Sequence, residues 1–528
     1  MRPRHRTVPS CLLPWLVLAP WLVLAPGCAP APPAPPPAVV VVLVDSLRPD
    51  HLGLFGASPS PTPALDRCFG SATRFSAARA PSSATVPSVH SLLAADRPGR
   101  FRADDHLAHR VRAAGAEAHL LASTLFLTGA FAMAEGWTTA AHHELAPAAA
   151  QVDRALDLLA ARTAPQLLVV ELSDLRLPNP LDAAPTARLA AGPPELVLWQ
   201  QLDQEPLLES EAAHLRAAYD QTLRALDGAL GRLCDALGPQ DTLVLTAPHG
   251  EALGEGGQVG HGFDLSEVLL RVPLALRGPG WVDTENSLLV DVSDVGNTVA
   301  ELLGAPPSSG TGRDLREAGE AGWTDRPLVL GPTVYGPARV GLISGDTKWV
   351  LGFGENRTVD LAADPDEAAP TVSLDWPGAA RSQWQAATGQ PTQRVLRVAL
   401  QPVGPRSEPL SWKGPTAVTV AHPDGIVDVW TPPLPLHPTS LSLETTPSSV
   451  TVRAATGRLP RELYVQLAQP ARLDGLALHV EHGGEGTHSA ELAGPTRPQG
   501  GVVLLSAGPE ASPVTAGLTW VPAPQRTP

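Results

Sequence analysis

Residues 38–45 read AVVVVLVD, seven apolar residues of which five are valine, closed by an acid. The run has no alternation of apolar with polar, so neither face of such a strand can be turned to water. It is the pattern of a strand inside a parallel sheet covered on both sides. Further runs of this kind are Gln166–Glu171 (QLLVVE), Asp241–Thr246 (DTLVLT) and Val272–Leu276 (VPLAL). Helical spacing separates them at Asp105–Ala114, at Ala148–Ala161 and along Glu211–Leu237, where Leu215, Ala218, Leu223, Leu226 and Leu230 mark one face. Strands alternating with helices predict an α/β fold, with a mostly parallel central sheet and helices on both faces. Ligands of such sheets bind at the carboxyl ends of the strands. That edge would carry Asp45, Glu171–Asp174 and Pro248-His249.

The pattern changes between Thr333 and Ala363 to short alternating stretches (ARVGLISG, TKWVLGFG, RTVDLAA), which predict a small antiparallel sheet beside the main one. Beyond about Ala380 the chain is punctuated by Pro and Gly, with apolar runs at Val395–Leu400, Ala417–Ala421, Ile426–Trp430, Leu463–Leu467 and Val502–Leu505. Short strands between turn signals predict a β-rich C-terminal domain of sandwich type. A length of 528 residues agrees with two or three domains. The net charge of −15 excludes a general nucleic-acid binder, since phosphate backbones are held by clustered positive charge. A small anionic ester is not excluded, because a local site can hold one whatever the net charge.

The N-terminus carries Arg2, Arg4 and Arg6, then an apolar run from Cys11 to Ala25. Leu24-Ala25-Pro26-Gly27-Cys28 follows, and a Pro/Ala tract reaches Pro37. A basic start, a short apolar stretch and small residues before a cut site form an export signal. A cysteine at the cut followed by such a tract resembles a bacterial lipoprotein, with Cys28 carrying the lipid. The alternatives are an ordinary cleaved signal or an uncleaved anchor. The chain then divides into a signal (1–28), a stiff Pro-rich tether (29–37), an α/β domain (38–330), a small antiparallel subdomain (331–380) and a β-rich domain (381–528). The implied location is the exported side of a bacterial envelope, at the membrane. Cys68 and Cys234 are expected as buried free thiols, with a single disulfide as the alternative in an oxidising compartment.

Four segments, in order, resemble the sulfatase family of the alkaline-phosphatase superfamily. Val44-Asp45-Ser46-Leu47-Arg48-Pro49-Asp50 resembles its opening motif, and Ala80-Pro81-Ser82-Ser83-Ala84-Thr85-Val86-Pro87-Ser88 its nucleophile segment. Pro248-His249-Gly250-Glu251, with Gly260-His261-Gly262 and Arg271-Val272-Pro273, resembles its second metal segment. Gly345-Asp346-Thr347-Lys348-Trp349 and Val359-Asp360-Leu361 resemble its small C-terminal sheet. The resemblance spans 38 to about 375 and implies hydrolysis of a sulfate or phosphate ester, or transfer of a phospho-group. That chemistry needs an oxygen nucleophile, a cation to ionise it and positive charge for the developing oxyanions.

By position Thr85 stands where many sulfatases have a modified cysteine or serine, and it is similar to the threonine of a divergent branch of the superfamily. The resemblance makes Thr85 the nucleophile and Arg176 a partner for ester oxygens through its forked donors. It makes Asp45, Asp174, His249 and His261 the ligands of one divalent cation, calcium, zinc or manganese, or of none if the site has lapsed. The lapse is suggested by departures from the family pattern. Pro248 replaces the aspartate of Asp-His-Gly and offers no side-chain oxygen. Glu171 and Arg176 stand where histidines are expected, and Val89 follows Ser88 where His or Arg is usual, with His90 one place displaced. Two expectations follow: an ester hydrolase with an incomplete metal site, acting on an anionic ester such as a sulfated or phosphorylated glycan, or an inactive binding or scaffold protein on the same fold. The membrane expectation is checked by fractionation: wild-type protein partitions with membranes and Cys28→Ala releases it or blocks its processing.

Overall fold

A computed structural model of the chain describes residues 35–177, 209–334, 339–351, 356–373 and 377–388. Beyond these it describes the segments 394–402, 417–422, 426–430, 441–446, 448–454, 462–467, 476–482, 486–491, 501–507 and 514–522. The expected signal, Cys28 and most of the tether lie outside the described residues.

The valine run forms β1 (Ala38–Val44), buried at all seven positions. Such burial requires cover on both faces and contributes roughly 1.5–3 kcal/mol for each Val or Leu side chain removed from water. In chain order the sheet adds β2 (Thr73–Phe75), β3 (Glu117–Ala122), β4 (Thr139–His142), β5 (Gln166–Leu172), β6 (Thr242–Thr246), β7 (Leu274–Arg277) and β8 (Thr284–Asn286). Their spatial order is β8-β2-β7-β6-β1-β5-β3-β4. The five strands from β6 to β4 run parallel, while β7 is antiparallel to both its neighbours. Val272–Leu276, read as another strand of the parallel kind, is therefore the point where the sheet turns antiparallel.

The helices form two packed groups. One comprises α1 (Pro63–Cys68), α4 (Ala148–Ala161) and α5 (Glu209–Ala236); the other comprises α2 (Thr85–Ala94), α3 (Leu107–Ala113) and α6 (Val292–Leu302). The long α5 holds α1 at both ends. Asp227 accepts from the backbone N–H groups of Ala64 (2.9 Å) and Leu65 (2.8 Å), capping the first turn. At the other end Cys68 and Cys234 form a disulfide across 166 residues of sequence. The expectation of two free thiols is thus corrected: each cysteine ends a helical stretch, and only the packing of α1 on α5 brings the two sulfurs together.

The small antiparallel sheet is built from β9 (Leu328–Leu330), β10 (Val340–Ser344), β11 (Thr347–Leu351), β12 (Asn356–Asp360) and β13 (Thr371–Ser373), paired in that order. Its first strand lies inside the stretch assigned to the α/β domain, and a helix at Gly378–Thr388 straddles the boundary expected at 380. Ala380 and Trp384 of that helix pack with Val329, Leu342, Trp349 and Leu351, so the subdomain runs on to Thr388. Buried Lys348 on β11 pairs with Glu267 and Glu367, each at 2.9 Å, and Glu267 also pairs with Arg79 at 2.7 Å. This charge cluster joins the small sheet to the segment that leads into α2. The ten strands from Arg394–Pro402 to Val514–Pro522 form one antiparallel hydrogen-bonded set. The pairs His488↔Ala507 and Ser489↔Ser506 make this set continuous.

Among the described residues no helix is long and apolar enough to cross a membrane. Reducing the disulfide, or replacing both cysteines by alanine, should lower unfolding free energy in denaturant by about 2–4 kcal/mol. An unchanged midpoint would show that α1 is held by Asp227 and packing alone.

Candidate active site at the carboxyl edge of the sheet

The parallel strands β3, β5, β1 and β6 all end on one edge. They deliver Ser123 and Thr124 after β3, Glu171 at the end of β5, Asp45 after β1 and His249 three residues after β6. Asp45 is completely buried, and its N–H donates to Leu172 O at 2.8 Å, which extends the β1–β5 ladder by one bond. The chain then turns sharply at Ser46, whose φ of 66° is the left-handed region. Such a backbone needs outside support in a residue other than glycine. Tyr219 of α5 supplies it, donating to Ser46 O at 2.7 Å and accepting from Arg48 N at 3.0 Å. The Ser46 hydroxyl donates to Glu251.

Thr85 is the first residue of α2 and is buried. The loop before it is fixed by bonds from Ala80 N to Leu270 O (2.7 Å), from Gly331 N to Pro81 O (2.8 Å) and from Ser88 Oγ to Ser82 O (2.9 Å). Thr85 Oγ1 lies 3.1 Å from Asp45 Oδ2 and 3.0 Å from His249 Nε2. The other nitrogen of that ring, Nδ1, is 2.8 Å from Gly250 O. A carbonyl can only accept, so Nδ1 carries the proton and Nε2 is left as an acceptor for the threonine hydroxyl. Burial, with His261 and Arg176 nearby, holds the His249 pKa well below the ordinary histidine range. The imidazole is therefore neutral at neutral pH. The threonine hydroxyl faces two acceptors, at the amino end of a helix whose dipole favours developing negative charge.

His261 stacks on His249 with ring centroids 4.0 Å apart and donates from Nδ1 to Glu251 at 3.0 Å. His249, Glu251 and His261 are buried and offer ligand atoms that all lie within 4.8 Å of one another. Two imidazoles and a carboxylate make a donor set suited to a divalent cation such as zinc. These three residues would hold it. Glu251 was overlooked as a ligand, although it stood in the Pro-His-Gly-Glu segment; the residue sought there was an acid at 248.

Asp174, expected as a ligand, is placed elsewhere. Its Oδ1 accepts from Ala148 N at 3.0 Å at the start of α4, and it is not in the three-residue group. His90, the displaced histidine of α2, points away from Thr85. It bonds Phe131 O at 3.0 Å and stacks on Phe101, and burial lowers its pKa to about 4. Glu171 accepts from Ser123 N (2.6 Å) and Thr124 N (3.1 Å), while burial and then the Asp45 charge push its pKa up to about 8. A carboxyl that is largely protonated at neutral pH spares Asp45 a neighbouring negative charge. Arg176 reaches Asp45, with Nη1 3.3 Å from Oδ2 and the guanidinium 4.5 Å from the Phe126 ring centroid. The sequence left open whether Arg176 was a drifted surface side chain; it is in the site.

The sulfatase family model matches residues 37–122 and 148–305, the segments that supply Asp45, Thr85, Arg176, His249 and His261. The α/β body of this chain belongs to the sulfatase family. Two solved structures illustrate how far the fold extends. A 2-O GAG sulfatase shares 15% identity at a TM-score of 0.52, over 64% of this chain and 87% of its own. The phosphonate monoester hydrolase of Agrobacterium radiobacter shares 18% at 0.51, over 66% and 93%. At such identities the likeness is one of fold. No curated protein matches the chain in sequence.

In this sulfatase domain alanine at His249, Glu251 or His261 should each weaken zinc binding by about tenfold or more in titration calorimetry. Asp174→Ala should leave the affinity unchanged while lowering stability by roughly 1–2 kcal/mol through the start of α4. A loss of affinity at Asp174 as large as at His261 would place the cation elsewhere.

Proposed function

We propose that the chain hydrolyses sulfate or phosphate esters with Thr85 as the nucleophile and His249 as its proton acceptor. The observation that carries this reading is the buried hydroxyl of Thr85 held between His249 Nε2 at 3.0 Å and Asp45 Oδ2 at 3.1 Å. A nucleophile hydrogen-bonded to a base whose other nitrogen is fixed by a carbonyl is the arrangement that activated hydroxyls require. In the first half-reaction the Thr85 oxygen bonds to sulfur or phosphorus and the ester oxygen leaves as the alcohol. The threonine proton passes to His249 Nε2 and from there to the departing ester oxygen. In the second, water gives one proton to His249 and displaces the Thr85 oxygen from sulfur or phosphorus; His249 passes that proton to Thr85, and sulfate or phosphate departs with the other. Asp45 orients the hydroxyl, and the amino end of α2 faces the charge that develops. Glu251 and His261 would hold a divalent cation, which would supply Lewis acidity toward an ester oxygen; His249 would add its Nε2 only while that nitrogen carries no threonine proton.

The substrate class is an anionic ester, with a sulfated or phosphorylated glycan as the leading case. A 2-O GAG sulfatase shares the fold, which supports this choice. The proposed location is the exported face of a bacterial envelope, through Cys28. The Cys68–Cys234 bond supports export, because disulfides persist in oxidising compartments.

A second reading has its own observation. Arg176 sits on Asp45 and Pro248 offers no ligand, a combination expected of a sulfatase fold retained for binding after catalysis is lost. Turnover of 4-nitrophenyl sulfate and phosphate by the purified protein, with zinc, calcium or manganese, separates the two. The hydrolase reading expects measurable rates that fall by about a thousandfold or more in Thr85→Ala and survive in part in Thr85→Ser. Rates equal in wild type and Thr85→Ala, or none with any cation, favour the binding protein.

A further inference from the structure

We infer that Arg176 is a built-in counter-cation for Asp45, filling with a guanidinium the role that a metal ion would otherwise play at that carboxylate. The inference deepens the reading of Asp45 and Thr85 as one site and rests on it.

Asp45 has no solvent contact, and a carboxylate removed from water costs several kcal/mol unless a positive charge and hydrogen bonds answer it. His249 Nε2 lies 3.9 Å from Asp45 Oδ1, beyond hydrogen-bond distance. Arg176 supplies the positive charge, at 3.3 Å, from a side chain only 11% exposed. Its placement is built rather than accidental. The turn that carries it is closed by Arg176 N to Ser173 O at 3.1 Å, and the flanking Leu175 and Leu177 are both buried. Phe126 supports the guanidinium through its ring face, a contact that strengthens when desolvated. Pro248 offers no side-chain oxygen to a cation, and the guanidinium stands at Asp45 in a cation's place.

This placement has a chemical consequence. Guanidinium does not deprotonate in a protein and cannot dissociate as a metal can. Asp45 thereby keeps a fixed positive partner beside the Thr85 hydroxyl whether or not the His249–Glu251–His261 group is loaded. A single positive charge, however, polarises less than a divalent ion, so proton acceptance falls more heavily on His249.

The test is a double-mutant cycle on the full chain, read by thermal unfolding in chelator and by calorimetric titration with zinc, calcium and manganese. Arg176→Met should lower the melting temperature by several degrees, on the scale of a broken buried ion pair. Asp45→Asn added to it should recover most of the loss, and Arg176→Lys should lose less than Arg176→Met. The Arg176→Met protein should also bind one of the three cations about tenfold or more tightly than wild type, a gain that Asp45→Asn abolishes. If Arg176→Met fails to fold, a folded Arg176→Met, Asp45→Asn protein supports the inference and an unfolded one overturns it. A melting temperature unchanged by Arg176→Met overturns it too, as does a loss that Asp45→Asn does not relieve. Coupling without turnover would remove the hydrolase reading and leave the counter-cation standing; turnover without coupling would do the reverse.

Discussion

The structure is organised around one buried charge. Asp45 directly follows β1, a strand buried along its whole length, where water cannot solvate it, so its neighbours must answer a carboxylate. Arg176 contributes the positive charge and Thr85 a hydrogen bond. Glu171, on the neighbouring strand, is pushed toward its protonated form. Ser46, the next residue, takes a left-handed backbone that Tyr219 and Glu251 hold from two other elements. Removing the charge would make most of these arrangements unnecessary.

Those restraints also give the site its directionality. Because Gly250 O fixes the proton of His249 on Nδ1, Nε2 is turned as an acceptor toward Thr85. Because Glu251 accepts a hydrogen bond from His261 Nδ1, that ring is held against His249. The result is a chain of contacts, from Ser46 through Glu251 and His261 to His249 and Thr85, that joins the turn after β1 to the start of α2. The small sheet enters the same construction. Lys348 draws Glu267 and Glu367 together, and Glu267 holds Arg79 just ahead of the loop that presents Thr85. A subdomain remote in sequence thus stiffens the nucleophile segment.

The departures from the family pattern read differently once the neighbours are seen. Pro248 looked like plain damage, because proline offers no side-chain oxygen and the sequence cannot show which charges meet Asp45. Arg176 was read as either a substitute cation or a drifted loop residue, and its contacts with Asp45 and Phe126 favour the former. Asp174 looked like a ligand because it is the acid in the matching segment, yet α4 begins where its carboxylate can serve the unpaired N–H of Ala148. Glu251 gained significance for the opposite reason. Its value as a ligand depends on the return of the chain to place His261 beside it.

What the sequence determined by itself was whatever depends on neighbouring residues: the valine run as a doubly covered strand, the helices α4 and α5, the carboxyl edge holding Asp45 and His249, and the small antiparallel sheet. Periodicity and strand burial are local signals, written within a few residues of the element they describe. The tertiary structure decided what depends on residues far apart. The reversal of direction at β7, the bond between Cys68 and Cys234, the pairing of Arg176 with Asp45 and the His249–Glu251–His261 group all join separate elements. Such contacts are selected by the energy of burying charge and sulfur together in a packed interior. No pattern along the chain records which buried groups will meet.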